Sequence, residues 1–292
     1  MIECINLTHY YGQRRIYENL SFTVPKGRIL GLLGKNGTGK TTTINILSGF
    51  LKPRSGECRI FGQNILTMNP ALRQNIGLLI EGHVQYTFMT IEQIERFYAR
   101  FYPRWQRSVY YDVMALLHVA PHQKIARMSC GQRSQVALGL LMAQNPELLI
   151  LDDFSLGLDP GYRRLFIDYL RDFVKSSGKT VFLTSHIIQD MERLIDDCIM
   201  MDYGRILLQK PVAELLDTYR QFNFDLVGEN QSLPALEGVY NPSVFHGKAE
   251  FGAFATPDAI QTQLHDKGVQ YTNFTAQRVS LEDAFIGLTG KY

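Results

Sequence analysis

Residues 34–41, Gly34-Lys35-Asn36-Gly37-Thr38-Gly39-Lys40-Thr41, fit the pattern G-x-x-x-x-G-K-[ST]. Residue types at this spacing do one kind of chemistry: they hold a polyphosphate. The glycines let successive backbone N–H groups turn inward around a phosphate chain. A helix that follows at once adds the positive end of its dipole. The Lys40 ammonium reaches the β- and γ-phosphates as a point charge, and the Thr41 hydroxyl is placed to ligate Mg²⁺. A metal-bound nucleotide needs a further acid. The apolar run Leu148-Leu149-Ile150-Leu151 ends in Asp152 and Asp153, and Asp152 would hold the water shell of the Mg²⁺. A second apolar run, Asn75-Ile76-Gly77-Leu78-Leu79-Ile80, ends in another carboxylate, Glu81. Upstream, Tyr10-Tyr11-Gly12-Gln13 offers a ring to stack on a purine, with Tyr11 the better candidate and Tyr10 the fallback. The alternative is that both tyrosines only cover a strand edge.

Such a loop must lie between a buried strand and a helix. Arg28-Ile29-Leu30-Gly31-Leu32-Leu33 reads as the strand, and a helical pattern opens over Thr42 to Leu47. Residues 2–7 and 19–24 read as strands, with the two tyrosines in the turn between them. Thr90-Ile91-Glu92-Gln93 is a capping-box signature ahead of Ile94, Phe97, Tyr98 and Phe101 at helical spacing. Residues 85–128 therefore read as a helical insertion in an α/β chain. Ser129-Cys130-Gly131-Gln132 opens a further helix, and Lys179 to Ser185 is a strand capped by His186. Cys198 to Leu208 reads as a hairpin around Tyr203-Gly204. After Arg220 the composition shifts. Residues 221–292 read as strands at Asn223–Val227, near Glu250–Ala255 and at Gln270–Thr275, with helices at Pro257–His265 and Leu281–Leu288.

Composition narrows the class. A hydrophobic share of 45% and a charged share of 20% are ordinary for a globular chain, and a net charge of +2 gives no nucleic-acid signal. No stretch approaches the ~18 to 20 apolar residues of a membrane span, and the start of the chain lacks the pattern of a secretory leader. The 4 cysteines form no C-x-x-C pair, which argues for reduced thiols and against a zinc site or disulfide framework.

The order of these features is a phosphate loop, a carboxylate-ended strand, Ser129-Cys130-Gly131-Gln132, an acid pair, Gly157-Leu158-Asp159-Pro160 and Thr184-Ser185-His186. It resembles the ATP-binding cassette (ABC) ATPases over about residues 1–220. The resemblance implies an α/β P-loop ABC ATPase domain with a RecA-like core, an antiparallel β-subdomain and a helical subdomain at about 85–145. A small α+β accessory domain at 221–292 would follow. It also implies ATP and Mg²⁺ as cofactors and ATP hydrolysis as the activity. In that family ATP is sandwiched between two head-to-tail cassettes. Ser129, Gly131 and Gln132 would meet the γ-phosphate held by the Gly34–Thr42 loop of a partner, a serine hydroxyl and a helix N-terminus making an anion site. Asp159 is similar to the acid that touches the other subunit's site, and His186 to the histidine that hydrogen-bonds the γ-phosphate and the attacking water.

Three positions depart from the family pattern. Asp153 stands where a glutamate general base is usual, its carboxylate about 1.5 Å further back, which implies slow hydrolysis or a closed dimer that persists longer. Glu81 takes the place of a glutamine and would act on the metal side; alternatively it is a surface acid. Cys130 replaces a glycine, putting a thiol at a helix N-terminus.

With one phosphate loop, no long heptad run and no span, the chain reads as a separate cytoplasmic ATPase subunit. It would sit on the cytoplasmic face of the plasma or inner membrane, against a polytopic permease made by another chain. A second ABC subunit would complete it, as a homodimer or, supplying the missing glutamate, a heterodimer. The segment Ile76-Gly77-Leu78-Leu79-Ile80-Glu81 and the stretch Val279-Ser280-Leu281-Glu282-Asp283-Ala284-Phe285 resemble the ABC-2-type, antibiotic-peptide-export ATPases, which implies export. Tyr86 and Phe88 are the expected contacts for a short permease helix. The competing class is a soluble regulatory ATPase switch acting on a cytosolic partner.

Overall fold

The computed structural model describes residues 1–80, 86–155, 158–228 and 232–290. It opens on a hairpin of β1 (Ile2–Tyr11) and β2 (Arg14–Val24), longer than the sequence pattern suggests. Asn6 and Asn19 hold positive φ angles of 50° and 53°, and the register slips beside them. These bulges interrupt the period-2 alternation by which a strand is read, so its continuation is hidden. Tyr10 and Tyr11 therefore lie on the strand, opposite Arg15 and Arg14, rather than in the turn.

β3 (Ile29–Gly34) leads through the phosphate loop into α1 (Lys40–Leu47). β4 (Ser55–Ile60) returns against β1, and β5 (Gln63–Asn64) completes an antiparallel sheet of order β2-β1-β4-β5. In that sheet Cys4 and Cys58 are direct partners, both reduced, with sulfurs 3.4 Å apart. Next come α2 (Pro70–Arg73), β6 (Ile76–Leu79) and the helical insertion: α3 (Ile91–Tyr98), α4 (Arg107–Leu116) and α5 (Cys130–Ala143). The insertion has its own core, including Ile91, Ile94, Tyr110, Val136 and Leu140. Thr90 caps α3 by accepting from the Gln93 N–H, while the Gln93 carboxamide accepts from the Thr90 N–H, the reciprocal pair expected from the sequence.

β7 (Leu148–Leu151), α6 (Pro160–Ser177), β8 (Thr180–Thr184), α7 (Ile188–Leu194), β9 (Asp197–Asp202) and β10 (Arg205–Pro211) close the first part of the chain. Tyr203 and Gly204 turn the β9–β10 hairpin with φ angles of 47° and 72°, the left-handed pair that a two-residue turn requires. The second sheet has the order β10-β9-β3-β8-β7-β6, and the steps from β9 to β6 are all parallel. β3, β7 and β8 are buried on both faces, which is why their sequences read as unbroken apolar runs.

The chain divides into two compact units, Met1–Ile206 and Leu207–Tyr292. The division falls before α8 (Val212–Thr218), not near Arg220 where the composition shifts. The second unit also holds β11 (Arg220–Leu226), β12 (Val239–Phe245), β13 (Lys248–Ala253), α9 (Pro257–Asp266), β14 (Tyr271–Gln277) and α10 (Leu281–Thr289). Its four strands pair antiparallel in the order β12-β13-β11-β14 around Phe222, Phe224, Phe251, Ile260 and Leu264. β12 is the strand that sequence reading misses. It carries Pro242, which cannot donate to a ladder and is tolerated because β12 is an edge. Among the described residues, no helix is long and apolar enough to cross a membrane.

Gly56 is the tightest backbone contact in the first sheet. Its φ is 82°, and a Cβ there would stand 2.3 Å from the Asn6 carbonyl oxygen. Gly56→Ala combines left-handed strain with a backbone clash and should destabilise by more than about 2 kcal/mol. A urea denaturation midpoint equal to that of the parent chain would contradict this packing.

Candidate functional site

Because β3, β8 and β7 are adjacent and parallel, their C-terminal ends open on one edge of the sheet. The loop after β3, the acids after β7 and the histidine after β8 consequently meet in one cavity of about 340 Å³. Of the residues expected from the sequence, Tyr11, Asn36, Gly37, Gly39, Lys40, Thr41, Thr42, Asp152, Asp153 and His186 line it. Tyr11 reaches the cavity from the end of β1, half-exposed, its ring edge-on to His9 at 4.9 Å. Tyr10 points elsewhere, donating to Glu18 and lying under the Arg54 guanidinium.

The phosphate loop is held by its own lysine. The Lys40 ammonium donates to the carbonyls of Gly34 at 2.6 Å and Lys35 at 3.0 Å, closing the loop over its own side chain. Burial lowers the Lys40 pKa, and the carboxylates of Asp153 and Asp152 pull it back up. Gly39 has a φ of 103°, and a Cβ there would strike Tyr17 at 2.8 Å, so the loop sits directly on the β2 ring beneath it.

One hydroxyl organises the acids. Thr184 Oγ1 donates to Asp152 Oδ1 at 2.6 Å and accepts from the Asp153 N–H at 3.1 Å. The second bond holds Asp153 at a φ of 49°, a conformation seldom adopted outside glycine and found at functional sites. That turn points Asp153 Oδ2 at His186 Nε2, 2.5 Å away. Asp153 is buried, whereas the His186 side chain is 45% exposed at the cavity mouth.

Other expected residues do not reach this cavity. Gly34 contributes a carbonyl to Lys40 but is not part of the wall. Ser129, Gly131 and Gln132 stand at the start of α5, outside it. There Ser129 Oγ accepts from the Gln132 N–H at 3.2 Å, and Gln132 Oε1 accepts from the Ser129 N–H at 3.1 Å. This capping box uses the side chains as acceptors, which leaves the Ser129 O–H and the Gln132 NH₂ as donors that these two bonds do not use. Gly131 has a packing reason to be glycine: a Cβ would meet the Tyr162 ring at 2.6 Å. Asp159 caps α6, accepting from the Gly161 and Tyr162 N–H groups at 3.1 Å. Glu81 lies outside the described residues.

Three wall residues were not anticipated: Arg14, Ile16 and Thr184. Arg14 faces Tyr11 across the hairpin, and its guanidinium lies 3.1 Å from where a Gly37 Cβ would be. It is thus a cation placed between the ring and the phosphate loop. Only the register of β1 against β2 reveals it. Away from the cavity, Tyr86 and Phe88 are exposed at 44% and 69% and join Phe97 and Phe101 in a chain of edge-on rings.

A family model described as "ABC transporter" matches residues 17–155. The bacitracin transport ATP-binding protein BcrA of Bacillus licheniformis is 26% identical, across 99% of this chain and 97% of that protein. The Nod factor export ATP-binding protein I of Cupriavidus metallidurans is 30% identical, across 100% of this chain and 98% of its relative. Among solved structures, an ATP-binding subunit of an ABC transporter superposes with a TM-score of 0.66 at 25% identity, covering 74% of this chain and 92% of that one. Likeness of this degree along the whole chain, on a site with this geometry, places it: the chain belongs to the ABC transporter family, as an ATP-binding subunit that hydrolyses ATP.

Proposed function

We propose that the chain powers an exporter by closing over ATP together with a second copy of itself and moving a separate membrane permease. The observation that carries this reading is the division of the site. Base platform, phosphate loop, acids and histidine share one cavity, while the unused donors of Ser129 and Gln132 stand apart from it. A helix N-terminus with spare donors suits an anion brought by another molecule. The ATP in a partner's cavity is such an anion.

In this reading the Tyr11 ring stacks on the adenine and Arg14 lies along the phosphates as a planar fork of donors. The loop N–H groups and Lys40 hold the β- and γ-phosphates. Mg²⁺ fits the donors present, since it needs only one or two protein oxygens beside phosphate and water. Thr41 and Asp152 would supply these, Asp152 keeping Oδ2 for the purpose while Oδ1 takes the Thr184 bond. The ion would neutralise charge on the phosphoryl oxygens. Asp153 accepts the proton of the attacking water, and His186 orients that water and donates to the γ-phosphate.

Export is the direction in the name of the Nod factor relative, and the bacitracin relative is named for transport. The permease would dock on the exposed rings of Tyr86 and Phe88, an aromatic patch suited to an amphipathic helix. A cytoplasmic, membrane-bound position follows from that contact.

Asp153 is held to His186 and its side chain is one methylene, about 1.5 Å, shorter than a glutamate's, so it would take the water's proton from a less favourable distance. Asp153→Glu should raise ATP turnover roughly tenfold or more, since about 1 Å of misplacement costs on the order of 10²-fold. Unchanged or lower turnover would remove the argument from carboxylate length. For the partner, the tagged chain should recover one polytopic membrane protein from detergent-solubilised native membranes, and Phe88→Asp should lose it while keeping ATPase activity. Recovery of soluble proteins alone would favour a regulatory switch.

A further inference from the structure

The second unit contains a cavity of about 470 Å³ that the nucleotide cycle does not use. Its volume falls within the range of small-ligand sites. Tyr219, Tyr240, Phe251 and Ile286 supply apolar wall, and Glu250 and Asp283 supply carboxylates. Among the described residues, no lysine, arginine or histidine lines it. Each acid has part of its capacity committed inside the chain. Glu250 Oε1 accepts from Gln221 Nε2 at 2.5 Å, and Asp283 Oδ2 accepts from Ser280 Oγ at 2.7 Å. Neither of these partners is a cation, and no salt bridge among the described residues pairs either acid.

Tyr219 adds an independent sign. It is 1% exposed, and its hydroxyl is wedged between Gly252 and Gly287, where a Cβ would come within 1.7 Å and 2.3 Å of it. Both glycines line the cavity. The hydroxyl has no hydrogen-bond partner among the described residues. A buried hydroxyl without a partner costs about 1 to 3 kcal/mol, and phenylalanine would fill the notch without that cost. Burial pushes the phenol's pKa up, so it remains a neutral group able to accept or donate.

We propose that this cavity binds a small organic cation, an ammonium or guanidinium group on a flat apolar body. The carboxylates of Glu250 and Asp283 would balance the charge, the Tyr219 hydroxyl would complete the polar contacts, and the 39%-exposed Tyr240 ring would offer a face to the cation. The body of the ligand would lie against Phe251 and Ile286. The proposal stands apart from the nucleotide reading, because all of its residues belong to the second unit.

The test is a titration of the full-length ¹⁵N-labelled chain with three probes of one shape: 2-phenylethylamine, 2-phenylethanol and phenylacetate. The amine should shift the Gly252 and Gly287 amides and bind about tenfold more tightly than the alcohol, while the acid should not bind. Glu250→Gln keeps an acceptor for Gln221 and should melt like the parent chain, yet lose about tenfold in affinity for the amine. Tyr219→Phe should weaken the amine without lowering the melting temperature. Equal binding of the three probes, or amine binding unaffected by Glu250→Gln, would overturn the proposal. So would the absence of any shift at these glycines at millimolar amine.

Discussion

The parallel pairing of β3, β8 and β7 is the constraint on which the site depends. Parallel neighbours bring their C-terminal ends to one edge, and each of these strands leads into groups that line the same cavity. Between two of those ends sits the Thr184 hydroxyl, which donates to Asp152 and accepts from the amide of Asp153. One side chain at the end of β8 thereby fixes both acids at the end of β7. The same bond holds Asp153 in a left-handed turn, and that turn aims its carboxylate at His186 two residues beyond Thr184. The sheet, the threonine and the acid–histidine pair form one mechanical unit.

That unit sets one side of the proposed cycle. In that cycle every group on the sheet edge would face the nucleotide from one side, and Lys40, which donates to its own loop carbonyls, would turn to the phosphates. The start of α5 belongs to a separately packed helical part with its own core, and its capping residues are not part of the cavity wall. The proposed cycle puts the two halves together across a dimer. Binding energy from the γ-phosphate can then move the helical part, together with the exposed rings that it carries, relative to a membrane partner.

Most of the site was legible because buried parallel strands are unbroken apolar runs and their polar ends stand out. Asp152, His186 and the phosphate loop were each read from such an edge. What remained hidden depended on pairing across distance. Arg14 enters the cavity only because it lies opposite Tyr11, and the bulges at Asn6 and Asn19 mask the strand that aligns them. Thr184 lay inside a recognised Thr-Ser-His run, but its two bonds go to residues from another strand. Cys4 and Cys58 are 54 residues apart and touch through a register that no spacing rule contains. β12 was missed because a proline argues against a central strand, and the argument does not apply at an edge.

The sharing of each ATP between two copies is the central claim, and sedimentation velocity tests it most directly. The full chain would be run with Mg²⁺ and ATP, with Mg²⁺ and ADP, and as the Ser129→Arg variant with ATP. The account predicts a dimer with ATP, monomers with ADP, and monomers for the variant although it still binds ATP. A chain that binds ATP and stays monomeric, or a variant that dimerises like the parent, would contradict it.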